Sequence, residues 1–352
     1  MNEMDAPHLA IVGATGAVGR EAVTLLESRG TALQSLRLLA SPRSAGSTIR
    51  FRGEPVTVEP LSRASFDGVD VAIFSAGGSI SREFAPQAVR AGVTVIDNSS
   101  AFRMDPEVPL IVPEINGERL AEWPGAGIIA NPNCSTIIAL MAVTPLYRAA
   151  GIDRMVISTY QSASGAGAAA MAELEQQARE FVEGRPLTTK IIDRPYLFNV
   201  FSHNSPIGED GYNEEERKLL RETHRIWVDD SVRITATCVR VPVLRSHCES
   251  INLTLRRPLP EARVREVLEG APGVTVVDDR ANNRFPEPRD ASGRDEVLVG
   301  RIRADLSQPE GFGYDLFVAG DQLRKGAALN AVQILERLAR SPMARSPKPA
   351  AS

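Results

Sequence analysis

A short apolar run, Leu9-Ala10-Ile11-Val12, leads directly into Gly13-Ala14-Thr15-Gly16-Ala17-Val18-Gly19, and then into an amphipathic stretch with apolar positions at Ala22, Val23, Leu25 and Leu26. The order is buried strand, glycine turn, helix. Glycine at every third position lets the backbone turn sharply and approach a pyrophosphate, which would then sit on the open N–H groups of the helix start. The runs that follow repeat the grammar. Leu36–Leu39, Val69–Phe74 and Val93–Ile96 read as strands, and a helix through Phe84, Ala88 and Val89 separates the last two. Strand–helix alternation of this kind predicts a parallel, doubly wound sheet.

After Gly151 the pattern changes. Met155–Tyr160, Arg233–Arg240 and Ser250–Leu255 alternate like half-buried strands, with helical segments near 168–183 and 213–226 between them. This predicts a mixed α+β domain with one sheet face covered. Leu253 and Leu255 are apolar residues that such a domain could share with a second copy. The polar, Pro/Gly-rich stretch 279–296 reads as a long loop, and 327–338 as a final helix with an apolar stripe.

A chain of 352 residues is long for one core and suits two domains. Its net charge of −4 supplies no electrostatic drive toward nucleic acid. No run nears the ~18 apolar residues that a membrane span requires, and 1–9 lacks the apolar centre of a signal peptide. Three cysteines without framework spacing suit a reducing cytoplasm, and no Cys/His cluster has metal-ligand spacing. The stretch 340–352, rich in Ser, Pro, Ala and Arg, reads as a disordered tail.

Two local features carry chemistry. Cys134 stands in Asn131-Pro132-Asn133-Cys134-Ser135-Thr136, just before the apolar run Ile137–Met141, so a helix is expected to begin there. A thiol at a helix start sees the positive end of the dipole and unpaired N–H groups, and both favour the nucleophilic thiolate. The second feature concerns the dinucleotide. Sites for NAD usually place an acid at the end of the second strand. Here no Asp or Glu occurs between Glu27 and Glu54, and the second strand runs into Ser41-Pro42-Arg43-Ser44. A guanidinium flanked by hydroxyls suits a 2′-phosphate, which favours NADP. An acid/base partner must come from four histidines. His8 is near the terminus, His203 in a loop, His224 on a charged helix, and His247 where a strand end meets a loop.

Taken in order, Gly13–Gly19, Ser99-Ser-Ala-Phe-Arg103, Asn131–Thr136, Gln161 with Ser164-Gly165-Ala-Gly167, Arg240-Val-Pro-Val243 with His247, and Gly320-Asp-Gln-Leu-Arg-Lys-Gly326 resemble the aspartate-β-semialdehyde dehydrogenase family. The resemblance runs from about residue 8 to about residue 338. It implies that Cys134 is the nucleophile, His247 the acid/base and Gln161 an orienting residue. It implies that Arg240 binds the substrate carboxylate, Glu215 its ammonium, and Arg103 and Lys218 its phosphate. Gly13, Thr15, Gly16, Ala17, Val18, Arg43, Ser44, Ser164, Gly165 and Gln322 would line the NADP site. Glu214 and Glu216 flank Glu215 and compete with it for the ammonium role.

The implied architecture is a Rossmann-type domain over 1–131, completed by 323–340, with a catalytic and dimerisation domain over 132–322 and a cytoplasmic homodimer as the assembly. The implied reaction is reductive dephosphorylation of L-aspartyl 4-phosphate to the 4-semialdehyde, within lysine, threonine, methionine and diaminopimelate synthesis. Two alternatives remain. One is a related acyl-phosphate reductase acting on N-acetyl-glutamyl phosphate or a glyceraldehyde-3-phosphate-like substrate. The other is a non-catalytic relative.

Overall fold

The computed structural model describes residues 6–121 and 123–340. The expected disordered tail at 341–352 lies outside the described residues. The chain divides into two compact units, one of residues up to Asn133 together with those from Ala327 onward, the other spanning Cys134–Gly326.

The first unit opens with β1 (His8–Val12), α1 (Ala17–Ser28), β2 (Ser35–Ala40), β3 (Thr48–Phe51), β4 (Glu54–Pro60), β5 (Val71–Phe74), α2 (Gly78–Arg90), β6 (Thr94–Asp97), the short α3 (Pro113–Asn116) and β7 (Gly127–Ala130). Seven strands form one sheet in the order β3-β4-β2-β1-β5-β6-β7, parallel except for the β3–β4 pair. β1 is buried from Leu9 to Val12, as a strand covered on both faces requires. On one face α1 contributes Ala22, Val23, Leu25 and Leu26 to a core that also holds Leu9 and Ile11. The final helix, Leu329–Arg340, adds Val332, Ile334, Leu335 and Leu338 to that same core. Arg29, which caps α1, pairs with Glu336 of the final helix at 2.8 Å. On the opposite face Ala85 and Ala88 of α2 pack with Ala10, Val12, Ala72 and Phe74.

The β3–β4 hairpin and β7 are further elements, not expected from the sequence. The hairpin turns on Arg52 and Gly53, both with positive φ (52° and 82°). Two consecutive left-handed residues make the mirror-image turn whose twist matches an antiparallel pair, and Arg in the first of those positions carries no sequence signal.

The second unit contains α4 (Cys134–Ala150), β8 (Ile152–Gln161), α5 (Ala168–Val182), β9 (Phe201–Ser202), α6 (Glu214–Trp227), β10 (Arg233–Arg240), β11 (His247–Leu255), α7 (Glu261–Glu269), β12 (Val274–Val276), α8 (Pro288–Ala291), β13 (Val297–Ala304) and β14 (Gly313–Gly320). Its sheet runs β12-β13-β14-β11-β8-β10-β9, with parallel β8–β10 and β12–β13 pairs and antiparallel pairing elsewhere. α4 packs against β8, β11, β13 and β14, and α6 against β10, so one face is covered. Alternation along β11 turns His247, Glu249, Ile251, Leu253 and Leu255 to that covered face. Leu253 and Leu255 are therefore core residues and not available for sharing with a second copy, a correction to the sequence expectation. The other face carries half-buried Ser250, Asn252, Thr254 and Phe317 and exposed Tyr160, with Tyr160 and Phe317 rings 6.2 Å apart. The stretch 279–296 is less loop-like than expected. Asp279 and Arg284 form a bridge, and Pro288 starts α8 with its preset φ.

Candidate active site

Cys134 is the first residue of α4. From Ile129 to Thr144 every residue is buried except Cys134, which is half-buried. The other two thiols, Cys238 and Cys248, are buried. Burial pushes Cys238 up from its usual range, and Cys248 up to about 12. Only Cys134 combines access with a helix start, so it is the one thiol placed for nucleophilic work. The backbone of Gly326 passes directly beside it. A Cβ on Gly326 would stand 2.8 Å from Cys134 Cβ, closer than side chains pack.

Gln161, the last residue of β8, ties the sheet to the first turn of α4. Its Nε2 donates to Ser135 Oγ at 3.0 Å, with longer contacts of 3.3 Å to Thr159 Oγ1 and Glu215 Oε1. Arg240 ends β10 opposite Gln161. It is 4% exposed, and its Nε donates to Asn204 Oδ1 (3.2 Å) and Nη1 to the Ser162 carbonyl (3.3 Å). Gly165 lies between Arg240 and His247. A Cβ there would be 2.9 Å from Arg240 Nη1 and 2.9 Å from His247 Nε2, so only glycine permits the approach.

His247 opens β11 and is fully buried. Its Nδ1 accepts from the Ser162 backbone N–H at 3.1 Å and contacts Ser162 Oγ at 3.1 Å. Nε2 has no hydrogen-bond partner among the described residues. Burial, and then the Arg240 charge, lower the imidazole pKa to about 3, with Glu215 opposing. Both effects favour the neutral ring.

α6 separates its three consecutive glutamates. Glu216 closes a capping box with Asn213 and also accepts from Cys238 N–H at 3.0 Å. Glu214 pairs outward with Arg217 at 2.8 Å. Glu215 is buried, accepts from Gln161, and pairs with Lys218 at 3.0 Å, one turn along. Glu215 is thus the member of the run that turns inward to Gln161. The loop ahead of α6 adds Asn204 and Ser205, which the sequence did not single out. Asn204 holds Arg240, and Ser205 Oγ accepts from Glu215 N–H at 3.2 Å. His203 bonds Ser205 at 3.0 Å, and burial lowers its pKa to about 4. The Gln322 amide donates to Ser164 Oγ and accepts from Ser246 N–H (2.9 Å).

Arg103 belongs to the first unit. It is buried, with Nε on the Asn131 carbonyl and Nη2 on the Asn98 carbonyl, both at 2.8 Å. That unit also holds the glycine turn. Gly13 has φ +86°, and a Cβ there would meet the Ser75 carbonyl oxygen at 2.6 Å. Gly16 stands at the N-cap of α1 in extended geometry without a side-chain cap, so the first-turn N–H groups face outward uncapped. Thr15, Ala17 and Val18 complete that turn, which lies where β1 and β5 diverge to their separate neighbours, the switch point of a doubly wound sheet. Backbone at this turn fits a pyrophosphate. Arg43 is exposed and makes no ion pair among the described residues. Ser44 follows it in a tight turn closed by its own N–H on the Ser41 carbonyl at 2.9 Å.

The first unit thus carries a dinucleotide-binding turn, and the second carries a half-buried thiol at a helix start. Residues 8–123 match the semialdehyde dehydrogenase NAD binding domain, and 143–325 the semialdehyde dehydrogenase dimerisation domain. An aspartate-semialdehyde dehydrogenase of a Synechocystis species is 53% identical over 331 residues, covering 94% of this chain and 97% of its own. One from Bacillus subtilis is 43% identical over 339 residues, covering 94% and 97%. The crystal structure of aspartate semialdehyde dehydrogenase II from Vibrio cholerae, complexed with ASA, superposes with a TM-score of 0.92 at 43% identity, over 96% of this chain and 99% of that one. The chain belongs to the aspartate-semialdehyde dehydrogenase family. Among its described residues, no helix is long and apolar enough to cross a membrane.

Proposed function

We propose that the chain uses NADPH to reduce L-aspartyl 4-phosphate to aspartate 4-semialdehyde and phosphate, with Cys134 carrying the acyl group as a thioester. The observation that carries this reading is the single half-exposed thiol at the head of an otherwise buried helix, tied through Ser135 and Gln161 to the strand ends that hold Arg240 and His247. The substrate presents a carboxylate, an ammonium and a phosphate. Arg240 offers a fork for the carboxylate that Lys could not copy. Glu215 answers the ammonium, and Lys218 and Arg103 the phosphate. NADPH, when bound, supplies the hydride; Gly13, Gly16 and the α1 start would hold its pyrophosphate, and Arg43 with Ser44 its 2′-phosphate. Attack by the Cys134 sulfur expels phosphate, and Gln161 orients the acyl group. N–H groups of the first turn of α4 are suited to negative charge developing on the carbonyl oxygen. His247 serves the proton transfers as the thiohemiacetal forms and collapses, returning the thiolate.

The enzyme would work as a cytoplasmic homodimer through its second unit, whose matched family segment is a dimerisation domain. The face carrying exposed Tyr160 and half-buried Phe317 is the surface most suited to a second copy. Cys134→Ala tests the reaction. The variant should keep its thermal unfolding midpoint and lose phosphate-dependent reduction of NADP by aspartate semialdehyde. Retained turnover would overturn the thioester.

A further inference from the structure

His247 is held from behind by a directed hydrogen-bond chain. At the far end the Ser246 backbone N–H, which can only donate, bonds Gln322 Oε1 at 2.9 Å. That contact settles which end of the Gln322 amide is oxygen, so its Nε2 must be the group donating to Ser164 Oγ. Ser164 Oγ lies 2.9 Å from Ser162 Oγ, and Ser162 Oγ lies 3.1 Å from His247 Nδ1. With Ser164 already accepting from an amide, its own proton is free for Ser162, and the Ser162 proton for Nδ1. At the near end the Ser162 backbone N–H, again an obligate donor, points at the same Nδ1 from 3.1 Å. Gln322, Ser164, Ser162 and His247 are each 3% exposed or less, so water does not compete for these bonds.

A nitrogen that receives a backbone N–H cannot carry a hydrogen of its own without the two hydrogens colliding. We propose that Ser162, backed by Ser164 and Gln322, is a positioning residue that fixes His247 as the neutral tautomer protonated at Nε2, the nitrogen facing Gly165 and Arg240. His247 then enters the reaction as a hydrogen-bond donor toward oxygen, and not as a base toward the Cys134 thiol, whose ionisation falls to its place at the start of α4. The inference rests on the reading of His247 as the acid/base, which it makes specific.

Other groups bear on the ring's charge. Arg240 of β10 and His203 after β9 face it and oppose an imidazolium, and Glu215 of α6 favours one. Glu249 shares its strand face, and Gln161 of β8 and Gly320 of β14 are uncharged neighbours. Against that fixed background the chain adds donors to Nδ1, and donors to the unprotonated nitrogen stabilise the neutral ring.

The test uses full-length enzyme labelled with 15N-histidine, without substrate or cofactor, so that its outcome is independent of whether the proposed reaction occurs. The His247 signals are identified by their loss in His247→Asn. At neutral pH Nδ1 should show the shift of an unprotonated nitrogen and Nε2 that of a protonated one. Two variants then probe the chain's direction. Ser162→Ala deletes one donor to Nδ1. Gln322→Glu replaces the donating amide by an acceptor, which reverses Ser164 and Ser162 and draws the Ser162 proton away from the ring. Both should raise the pH at which His247 takes up a second proton, by about one unit for a hydrogen bond of ordinary strength. The carboxylate of Gln322→Glu also favours an imidazolium through its charge, so the uncharged Ser162→Ala substitution decides whether the hydroxyl chain tunes the ring. A protonated Nδ1 in the resting enzyme would overturn the proposal. So would an unchanged titration in Ser162→Ala.

Discussion

Gly326 passes directly beside Cys134, the proposed nucleophile, and replacing it by alanine converts a packing distance into a rate. The new methyl would stand 2.8 Å from Cys134 Cβ, 3.2 Å from Gln322 Cβ and 3.3 Å from Cys134 Cα. Carbon atoms prefer about 3.5–4.0 Å, so Cys134 and Gly326 must separate by roughly 0.7–1.2 Å. Overpacking of this size costs about 1–3 kcal/mol of stability, which a domain of this length tolerates. The catalytic cost is steeper, because a misplacement of ~1 Å at a reacting atom lowers turnover on the order of 100-fold. Gly326→Ala should therefore stay folded by circular dichroism, bind NADP with little change, and lose about two orders of magnitude in kcat for phosphate-dependent semialdehyde oxidation. Its Cys134 should also alkylate with iodoacetamide at an altered rate. Wild-type kcat in a folded Gly326→Ala enzyme would show that the backbone approach does not place the sulfur.

Glu249 is fully buried on the His247 strand face, its carboxyl oxygens have no partner among the described residues, and burial raises its pKa well above the usual carboxylate range. The folded state then holds a proton that the unfolded chain releases above about pH 4.3. Stability from this group declines as pH rises above that value. Glu249→Gln should gain stability relative to wild type between pH 4 and pH 8 in urea unfolding, and a difference independent of pH would refute the assignment. Arg43→Ala should narrow the preference for NADP over NAD by about 10-fold or more, in keeping with the loss of one charge-assisted phosphate contact; an unaltered ratio would remove Arg43 from the 2′-phosphate role. Arg240→Lys should lower kcat/KM for the semialdehyde by roughly 10- to 100-fold while NADP binding is retained, and unchanged kcat/KM would take Arg240 out of carboxylate recognition.

Much of the first unit was legible because its strands are buried on both faces and read as unbroken apolar runs, as Leu9–Val12 and Ile73–Phe74 do. The turn at Gly13–Gly19 was legible because its glycines answer to steric necessity. In the second unit, β13 and β14 went unseen although Val297-Leu-Val and Leu316-Phe-Val are strand-like. Glycines at 300, 313 and 320 interrupt the pattern, and they are there because neighbouring atoms leave no room for a side chain. At the site, Cys134 announced itself through its helix start, whereas Gln161, Arg240 and Glu215 were legible only as a resemblance. Ser162 and Gly326 left no mark of their own. One acts through a hydroxyl and an N–H that any serine has, the other through an absent methyl. Only the register of β8 and β11 and the path of the chain beside α4 give them meaning.

The final helix carries a lesson about biosynthesis. The opening βα layer cannot bury Leu9, Ile11 and Leu25 fully until Val332, Ile334 and Leu335 reach it, and those residues leave the ribosome some three hundred positions later. During translation the intervening half can collapse on its own while the beginning waits, its oily side uncovered, for the end of the message. A stop codon that spared everything through Gly326 would thus strike hardest at the portion of the polypeptide made first.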